Sequence, residues 1–143
     1  MVPKQVCIQG LGFVGAAMAV AVASARSAKG EILYQVTGID QDTPQGRERV
    51  SALARGVFPC RTTDEPLGEA LSRCHREGNF ATTTDELAYA SADVVVIDIP
   101  LDIPFWDDEP QLDMAGFEKA FRSVSRRVPA GALILVETTV PPG

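Results

Sequence analysis

Three glycines near the amino terminus have the residue type and spacing that most directly imply chemistry. They belong to the segment Gly10-Leu11-Gly12-Phe13-Val14-Gly15, which matches the pattern G-x-G-x-x-G. The segment follows a predicted strand and opens a predicted helix, and this context gives an otherwise weak pattern its meaning. Gly10 allows a tight turn, Gly12 lets a diphosphate approach the backbone, and Gly15 lets the helix pack closely on the sheet. The N–H groups at the helix start would bind the phosphates, so the predicted dinucleotide site includes Phe13 and Val14.

An acidic residue follows the second predicted strand, where a dinucleotide would place its adenosine ribose. This residue is Asp40, and its carboxylate would accept hydrogen bonds from the ribose hydroxyls. A carboxylate there repels a 2′-phosphate, which favours NAD over NADP as the cofactor. The gap from Gly15 is slightly longer than the usual ~20 positions, and we attribute the excess to an insertion around residues 27–31. Arg47 could lie near the same ribose.

Two further segments follow later strands and should line the same cleft, because ligands of such sheets bind at the carboxyl ends of the strands. The first contains Ile99, Pro100 and Leu101, and the second contains Glu137 and Thr138. The apolar residues would form a wall for the cofactor, whereas the carboxylate and hydroxyl could bind a nicotinamide ribose or a substrate. The alternative for the threonines is β-branched strand filler, since threonine is common in strands.

The elements that must position these residues alternate along the chain. Strands are predicted at 5–9, 32–39, 80–82, 93–99 and 132–137, and helices at 13–27, 43–55, 66–77, 85–90 and 113–127. Alternating strands and helices predict an α/β fold with a doubly wound, mostly parallel sheet of the Rossmann type. The continuous Val/Ile run at 93–99 indicates a strand that is buried on both faces. We expect residues 1–143 to form a single domain of a longer protein.

Composition excludes several classes of function. The chain is 45% hydrophobic and carries a net charge of −6, with scattered rather than clustered Lys and Arg, so nucleic acid is not an expected partner. No apolar run reaches the ~20 residues of a membrane span. Three cysteines without C-x-x-C spacing predict a reduced, cytoplasmic protein. No metal site is predicted, because the acidic residues at 107–109 lack calcium-loop spacing. The single histidine, His75, is predicted to lie on a solvated helix face.

Beyond these patterns, the sequence resembles the nucleotide-sugar 6-dehydrogenases of the UDP-glucose and GDP-mannose dehydrogenase family over essentially its whole length. The matching stretches are GLGFVGAAMA at 10–19, GID at 38–40, GVFP at 56–59, Glu65-Pro66, the T-x-D step at 83–85, ASADVVVIDIP at 90–100 and ETTVPPG at 137–143. The last stretch is the most specific, because Rossmann domains in general do not end a strand with T-V-P-P-G.

This resemblance implies an NAD-dependent oxidoreductase that oxidises the C6 hydroxyl of a UDP- or GDP-sugar to a carboxylate with two NAD. It implies a homodimer, a role in polysaccharide biosynthesis, and further domains that carry the catalytic cysteine, lysine and asparagine. Cys7, Cys60 and Cys74 do not match the cysteine motif. Thr139 corresponds to the family threonine that helps to position the reacting water or substrate, so it is the one candidate catalytic residue. By itself, the 143-residue chain is expected to bind NAD without turnover.

The chain also departs from the family pattern. The family usually reads V-P-T-P after the fourth strand, whereas this chain has Ile99-Pro100-Leu101-Asp102, and Thr138 replaces the usual serine. These changes predict a divergent member. Two alternatives remain open at this point: the NAD domain of a 3-hydroxyacid or 6-phosphogluconate type of dehydrogenase, and an NAD-sensing regulatory module.

Overall fold

The structure is a computed structural model that describes residues 2–62, 64–101 and 114–138, together with the backbone of 105–106 and 109–110. Strand and helix alternate through most of this length. The strands are β1 (Lys4–Gln9), β2 (Tyr34–Ile39), β3 (Phe80–Thr83), β4 (Val94–Ile97), β5 (Phe105–Trp106), β6 (Glu109–Pro110) and β7 (Leu133–Val136). The α-helices are α1 (Phe13–Ser24), α2 (Pro44–Ala54), α3 (Glu65–Glu77) and α4 (Ala115–Ser125), and a 3-10 helix spans Glu86–Ser91.

Five strands form one parallel sheet in the order β3-β2-β1-β4-β7. β1 lies near the centre, where Cys7 pairs with Thr37 on one side and with Val95 on the other. Starting from β1, the chain adds β2 and β3 towards one edge and then β4 and β7 towards the other. The predicted doubly wound parallel sheet is therefore confirmed, and the order reverses between β1 and β4.

Helices cover both faces of this sheet, and each face has its own core. Alternation along β1 sends Val6 and Ile8 to the face of α1 and α3, and Cys7 to the face of the 3-10 helix and α4. The small residues Ala16 and Ala19 let α1 lie close to the sheet, and both are fully buried. Because the strands are parallel, the carboxyl ends of all five lie on the same side of the sheet. The predicted site residues follow the strands on that side.

The first helix is shorter than its apolar sequence predicts. It ends at Ser24, three residues early, because Ala25 is extended and Arg26 forms an antiparallel bridge with Ile32. Between them, Ser27 N–H donates to the Glu31 carbonyl (3.0 Å) and Gly30 adopts a positive φ of 81°. The predicted insertion is thus a closed turn just before β2, at the amino ends of the strands. β2 itself starts only at Tyr34.

Two other segments also differ from prediction. The short helix before β4 is a 3-10 helix, and Asp85 caps it through a carboxylate that accepts from Leu87 N–H (2.9 Å). The predicted loop at 101–112 contains the antiparallel pair β5 and β6. Two helix ends are set by local residues, since Thr43 caps α2 through the Gly46 N–H and Gly78 ends α3 in the left-handed conformation, whereas the N-cap residue of α4 is Met114.

Candidate functional site

The turn from β1 to α1 is built from glycines that leave no room for side chains. A Cβ on Gly10 would overlap the carbonyl oxygen of Asp98, and Gly10 has a φ of 96°. A Cβ on Gly15 would overlap the Gly10 carbonyl and lie 2.9 Å from the Asp98 carboxylate. Gly12 is different, because a Cβ built there meets no atom of the described residues within 4 Å. Gly10 and Gly15 therefore pack the turn, whereas Gly12 leaves its outer side open.

The amino end of α1 faces this open side. Gly12 is the N-cap residue, no side chain caps the helix in the described part of the chain, and its first turn contains no acidic residue. Phe13 and Val14 are 57% and 55% exposed, although both are apolar. An uncapped helix start with unsatisfied N–H groups favours an anion such as a phosphate. The predicted residues of the glycine segment are thus arranged around one exposed helix end.

Asp40 lies directly after β2 and is 6% exposed. Its carboxylate accepts hydrogen bonds from Leu11 N–H (3.1 Å) and Gln41 N–H (2.7 Å), and it forms an ion pair with Arg49 (3.4 Å). The contact with Leu11 joins the end of β2 to the glycine turn. Two carboxylate oxygens offer about four acceptor positions, so one remains for a ligand hydroxyl.

A cavity of about 190 Å³ opens beside Asp40, on the face of the sheet that α4 covers. Tyr89 forms its buried part and hydrogen-bonds Gln9, a polar residue at the end of β1. The lining residues are Gln9, Asp40, Gln41, Asp42, Thr43, Glu86, Tyr89, Lys119, Ala120 and Ser123. Sites for whole small molecules measure about 300 Å³ or more, so this cavity has room for only part of a dinucleotide.

Several of these lining residues carry no local sequence signal. Lys119 and Ser123 come from α4, far along the chain, and reach the cavity only because the sheet brings α4 beside β1. Tyr89 is a single tyrosine in a short helix. Gln9 gives a local signal, because it is a polar residue that directly follows the apolar run 6–8 of β1.

The remaining predicted residues follow β4 and β7, which are neighbours in the sheet. Ile99 and Leu101 are half-buried, while Pro100 and Glu137 are exposed. The Thr138 hydroxyl donates to the Ile99 carbonyl (2.8 Å) and accepts from the Ile99 N–H (3.2 Å). Its single proton is therefore used within the protein. Thr138 thus fixes the segment after β4, and its contact with a ligand stays a prediction.

Asp98 is a site residue that the sequence analysis did not single out. It directly follows β4, and its carboxylate lies against Gly15 at the start of α1. Burial, and then the nearby carboxylate of Glu137, raise the pKa of Asp98 above its usual range. Two acidic groups consequently share the edge of the sheet beside the open helix end.

Some predictions fall outside the described residues. Thr139, the candidate catalytic residue, is one of them, and so are the acidic residues Asp107 and Asp108. Arg47 pairs with Asp42 and is exposed, while a different arginine, Arg49, contacts Asp40. The prediction for His75 was wrong: it is half-buried, 2.8 Å from the Leu53 carbonyl through Nε2.

A doubly wound parallel sheet, a glycine turn with an open helix start and an acid after the second strand define a dinucleotide-binding domain of the Rossmann class. Residues 4–143 match the UDP-glucose/GDP-mannose dehydrogenase family, NAD binding domain. The chain belongs to this family. The class of NAD-dependent oxidoreductases and the cofactor NAD, both predicted from the sequence, are confirmed at the level of the family.

Individual relatives agree with this assignment. The UDP-N-acetyl-D-mannosamine dehydrogenase of Methanocaldococcus jannaschii is 29% identical over 140 residues, which are 98% of this chain and 29% of that protein. The NDP-N-acetyl-D-galactosaminuronic acid dehydrogenase of Methanosarcina mazei Go1 superposes with a TM-score of 0.81 at 26% identity, covering 99% of this chain and 28% of that one. A UDP-glucose dehydrogenase of Pyrobaculum islandicum superposes with a TM-score of 0.74 at 29% identity, covering 99% of this chain and 30% of that one.

The chain thus spans less than a third of the length of the relatives that it matches.

Within the described residues, none of the helices combines the length and apolar character that crossing a bilayer requires. Among the alternatives left open by the sequence, membership of this family favours the nucleotide-sugar dehydrogenases over the 3-hydroxyacid or 6-phosphogluconate types.

Proposed function

We propose that this chain is the NAD-binding domain of a nucleotide-sugar 6-dehydrogenase. The observation that carries the proposal is the open side of Gly12 at the uncapped start of α1, next to Asp40. The diphosphate would lie over Gly10, Gly12, Phe13 and Val14, and Gly15 would keep the helix close behind it. The adenosine ribose would bind Asp40, and the cavity beside it would receive the base.

The segments after β4 and β7 would face the nicotinamide half of the cofactor. Ile99, Pro100 and Leu101 would provide the apolar wall, Glu137 an acceptor, and Thr138 the fixed position of that wall. When bound, NAD supplies a hydride acceptor for the oxidation of an alcohol. Thr139 would be the group that orients the reacting water or substrate, a role supported by the sequence resemblance alone.

The reaction we propose for the whole protein is oxidation of the C6 hydroxyl of a UDP- or GDP-sugar to a carboxylate with two NAD. The names of the relatives, which include dehydrogenases of UDP-N-acetyl-D-mannosamine and of UDP-glucose, support a nucleotide sugar as the substrate. The proposal includes a homodimer in the cytoplasm, on the strength of the resemblance and of the cysteine pattern.

Substitution of Gly12 tests the proposed cofactor site. Gly12 has a φ of −64°, and its Cβ position is empty, so Gly12→Ala should leave the fold intact and put a methyl group where the diphosphate must approach. We expect NAD affinity, measured by titration calorimetry, to fall at least tenfold, or about 1.4 kcal/mol. Gly15 would be a poor choice, because its Cβ would overlap the Gly10 carbonyl.

Gly68→Ala is the matched control. Gly68 lies in α3, and its Cβ position is also empty, but it is outside the site. Both variants should unfold near the temperature of the unsubstituted chain, and the control should bind NAD normally. Equal NAD affinities for the two variants would contradict the proposed site.

A further inference from the structure

Two carboxylates follow neighbouring strands of the main sheet. The pairing of β4 with β7 reaches Val136, and the next residues on the two strands are Asp98 and Glu137. Glu137 N–H donates to the Ile97 carbonyl (2.9 Å), which continues the pairing past the ends of the strands. Facing residues of paired strands point to the same side of a sheet, and Val96 lies in the core that α1 covers. Asp98 and Glu137, the acid pair, therefore belong to the α1 face.

The two acids differ in their surroundings but share a lack of positive charge. The Asp98 carboxylate is half-buried and lies 2.9 Å from the Cβ position of Gly15, in the first turn of α1, whereas Glu137 is exposed. Among the described residues, neither carboxylate has an ion-pair partner. After burial, the charge of Glu137 is the second cause of the raised pKa of Asp98. The two charges thus repel each other, and a cation beside them would relieve this repulsion.

The oxidised and the reduced form of the cofactor differ in charge at one place. The nicotinamide ring carries a positive charge in NAD⁺ and is neutral in NADH, whereas the diphosphate is the same in both. The uncapped start of α1 attracts the diphosphate, and the acid pair beside it offers negative charge. This arrangement matches both charged parts of NAD⁺ but only one charged part of NADH.

We propose that Asp98 and Glu137 raise the affinity of this domain for NAD⁺ relative to NADH. The inference rests on the proposed function, which places the nicotinamide half of the cofactor at the segments after β4 and β7. The cofactor itself follows from the family, so the acid pair only decides which redox form is favoured. A carboxylate several ångströms from the charged ring, partly screened by water and salt, should change the relative affinity about three- to tenfold.

A preference for the oxidised form has a use in the proposed reaction. Oxidation of an alcohol to a carboxylate takes two hydride transfers, so the first NADH must leave and a second NAD⁺ must enter before the reaction is complete. Reduction removes the charge of the ring and with it the attraction by the acid pair. The same two side chains would therefore favour release of NADH and entry of the next NAD⁺.

The dissociation constants of NAD⁺ and NADH test this proposal, measured by titration calorimetry at one fixed salt concentration. The ratio of the constant for NADH to the constant for NAD⁺ should fall about three- to tenfold in Glu137→Gln, and by a similar factor in Asp98→Asn. Each variant is compared with the unsubstituted chain, so the difference in shape between the two rings cancels. If circular dichroism shows that Asp98→Asn does not fold, the exposed Glu137 decides the question.

Glu69→Gln is the matched control for the loss of one negative charge. Glu69 is exposed on α3, which packs against α1 and β3, and β3 is the edge strand opposite β7. This variant should leave the ratio unchanged. A fall in Glu69→Gln as large as in Glu137→Gln would overturn the inference, because a general loss of negative charge would then explain the result.

The remaining outcomes separate the inference from the function beneath it. NAD⁺ binding by the unsubstituted chain, together with a ratio that neither Glu137→Gln nor Asp98→Asn lowers, would overturn the inference and leave the proposed function standing. No binding of NAD⁺ or of NADH by the unsubstituted chain would overturn both.

Discussion

At the scale of single residues, the acids that follow the strands differ in their effect on the stability of the fold. Asp40 is surrounded by two backbone N–H donors and an arginine. Asp98 is half-buried beside Glu137, and burial and that neighbouring charge raise its pKa. A buried acid without matching donors disfavours its own ionised form. Asp98 is thus held at this position at the expense of stability near neutral pH.

Asp98→Asn should therefore increase stability near neutral pH. Because the pKa of Asp98 is raised in the folded state, its stabilising contribution is complete below the unfolded pKa of about 3.9 and is lost as pH rises through the folded value. The substitution removes this loss. The variant should therefore have a higher free energy of unfolding in urea at pH 7, and a nearly unchanged one at pH 3. We expect the effect to be small, since Asp98 is only part-buried.

Asp93→Asn provides the comparison of opposite sign. The Gln5 N–H, and then Lys4, lower the pKa of Asp93 below its usual range. Its contribution is present above the unfolded pKa and is lost as pH falls through the folded pKa, so this variant should lose stability at pH 7. An Asp98→Asn variant that is less stable than the unsubstituted chain at pH 7 would contradict the interpretation.

At the scale of elements, one side chain joins three of them. Asn79 lies between α3 and β3 and is 1% exposed. Its Nδ2 donates to the Ala23 carbonyl in α1 (2.7 Å) and to the Tyr34 carbonyl at the start of β2 (3.1 Å). This amide fixes the carboxyl end of α1, which is the end away from the glycine turn. It is also the end at which the helix is three residues shorter than predicted.

Asn79→Ala should cost about 1–3 kcal/mol, because the Tyr34 carbonyl loses this donor and the Ala23 carbonyl keeps only the donor from Arg26. The measurement is the free energy of unfolding in urea, with Thr82→Val as the comparison. Thr82 gives up one hydrogen bond, to the Val50 carbonyl (2.9 Å), and should cost less. Equal losses from the two substitutions would mean that Asn79 does not join the elements as described.

The elements that could be predicted are those whose ends are set by local chemistry. Thr43 and Pro44 mark the start of α2, and Gly78 marks the end of α3, through backbone rules that act within one turn. The end of α1 could not be predicted, because a bridge between Arg26 and Ile32 stops the helix and its sequence does not.

The same division applies to the site. The glycine turn and Asp40 lie in one short β–α–β unit with a known spacing, so the sequence predicts them. Arg49, Tyr89 and Lys119 reach the site from other elements, and their positions depend on the packing of α2, the 3-10 helix and α4. No spacing along the chain encodes those contacts.

At the scale of the whole molecule, the described residues include the proposed cofactor site but few candidate catalytic groups. Asp98 and Glu137 are the described acids after β4 and β7, and the catalytic candidate Thr139 lies outside the described residues. The chain matches only 29% of the length of its relatives. We therefore propose that binding of the cofactor and oxidation of a sugar are separable properties.

We expect the 143-residue chain to bind NAD and to form no NADH with a nucleotide sugar. NADH formation would be followed by absorbance with UDP-glucose, GDP-mannose and UDP-N-acetylmannosamine. The Gly12→Ala variant, which should bind NAD at least tenfold more weakly, serves as the blank when NAD is kept well below its dissociation constant for that variant. Sugar-dependent NADH formation above that blank would show that the chain carries the catalytic groups itself.

The closed turn at 27–31 has a practical consequence. All five strands of the main sheet run the same way, and this turn lies where β2 begins, so the six residues of β2 separate it from Asp40 by about 20 Å. Residues 28–31 of this turn are exposed. An epitope or a surface anchor grafted into this turn would immobilise the protein with the proposed cofactor site pointing away from the support.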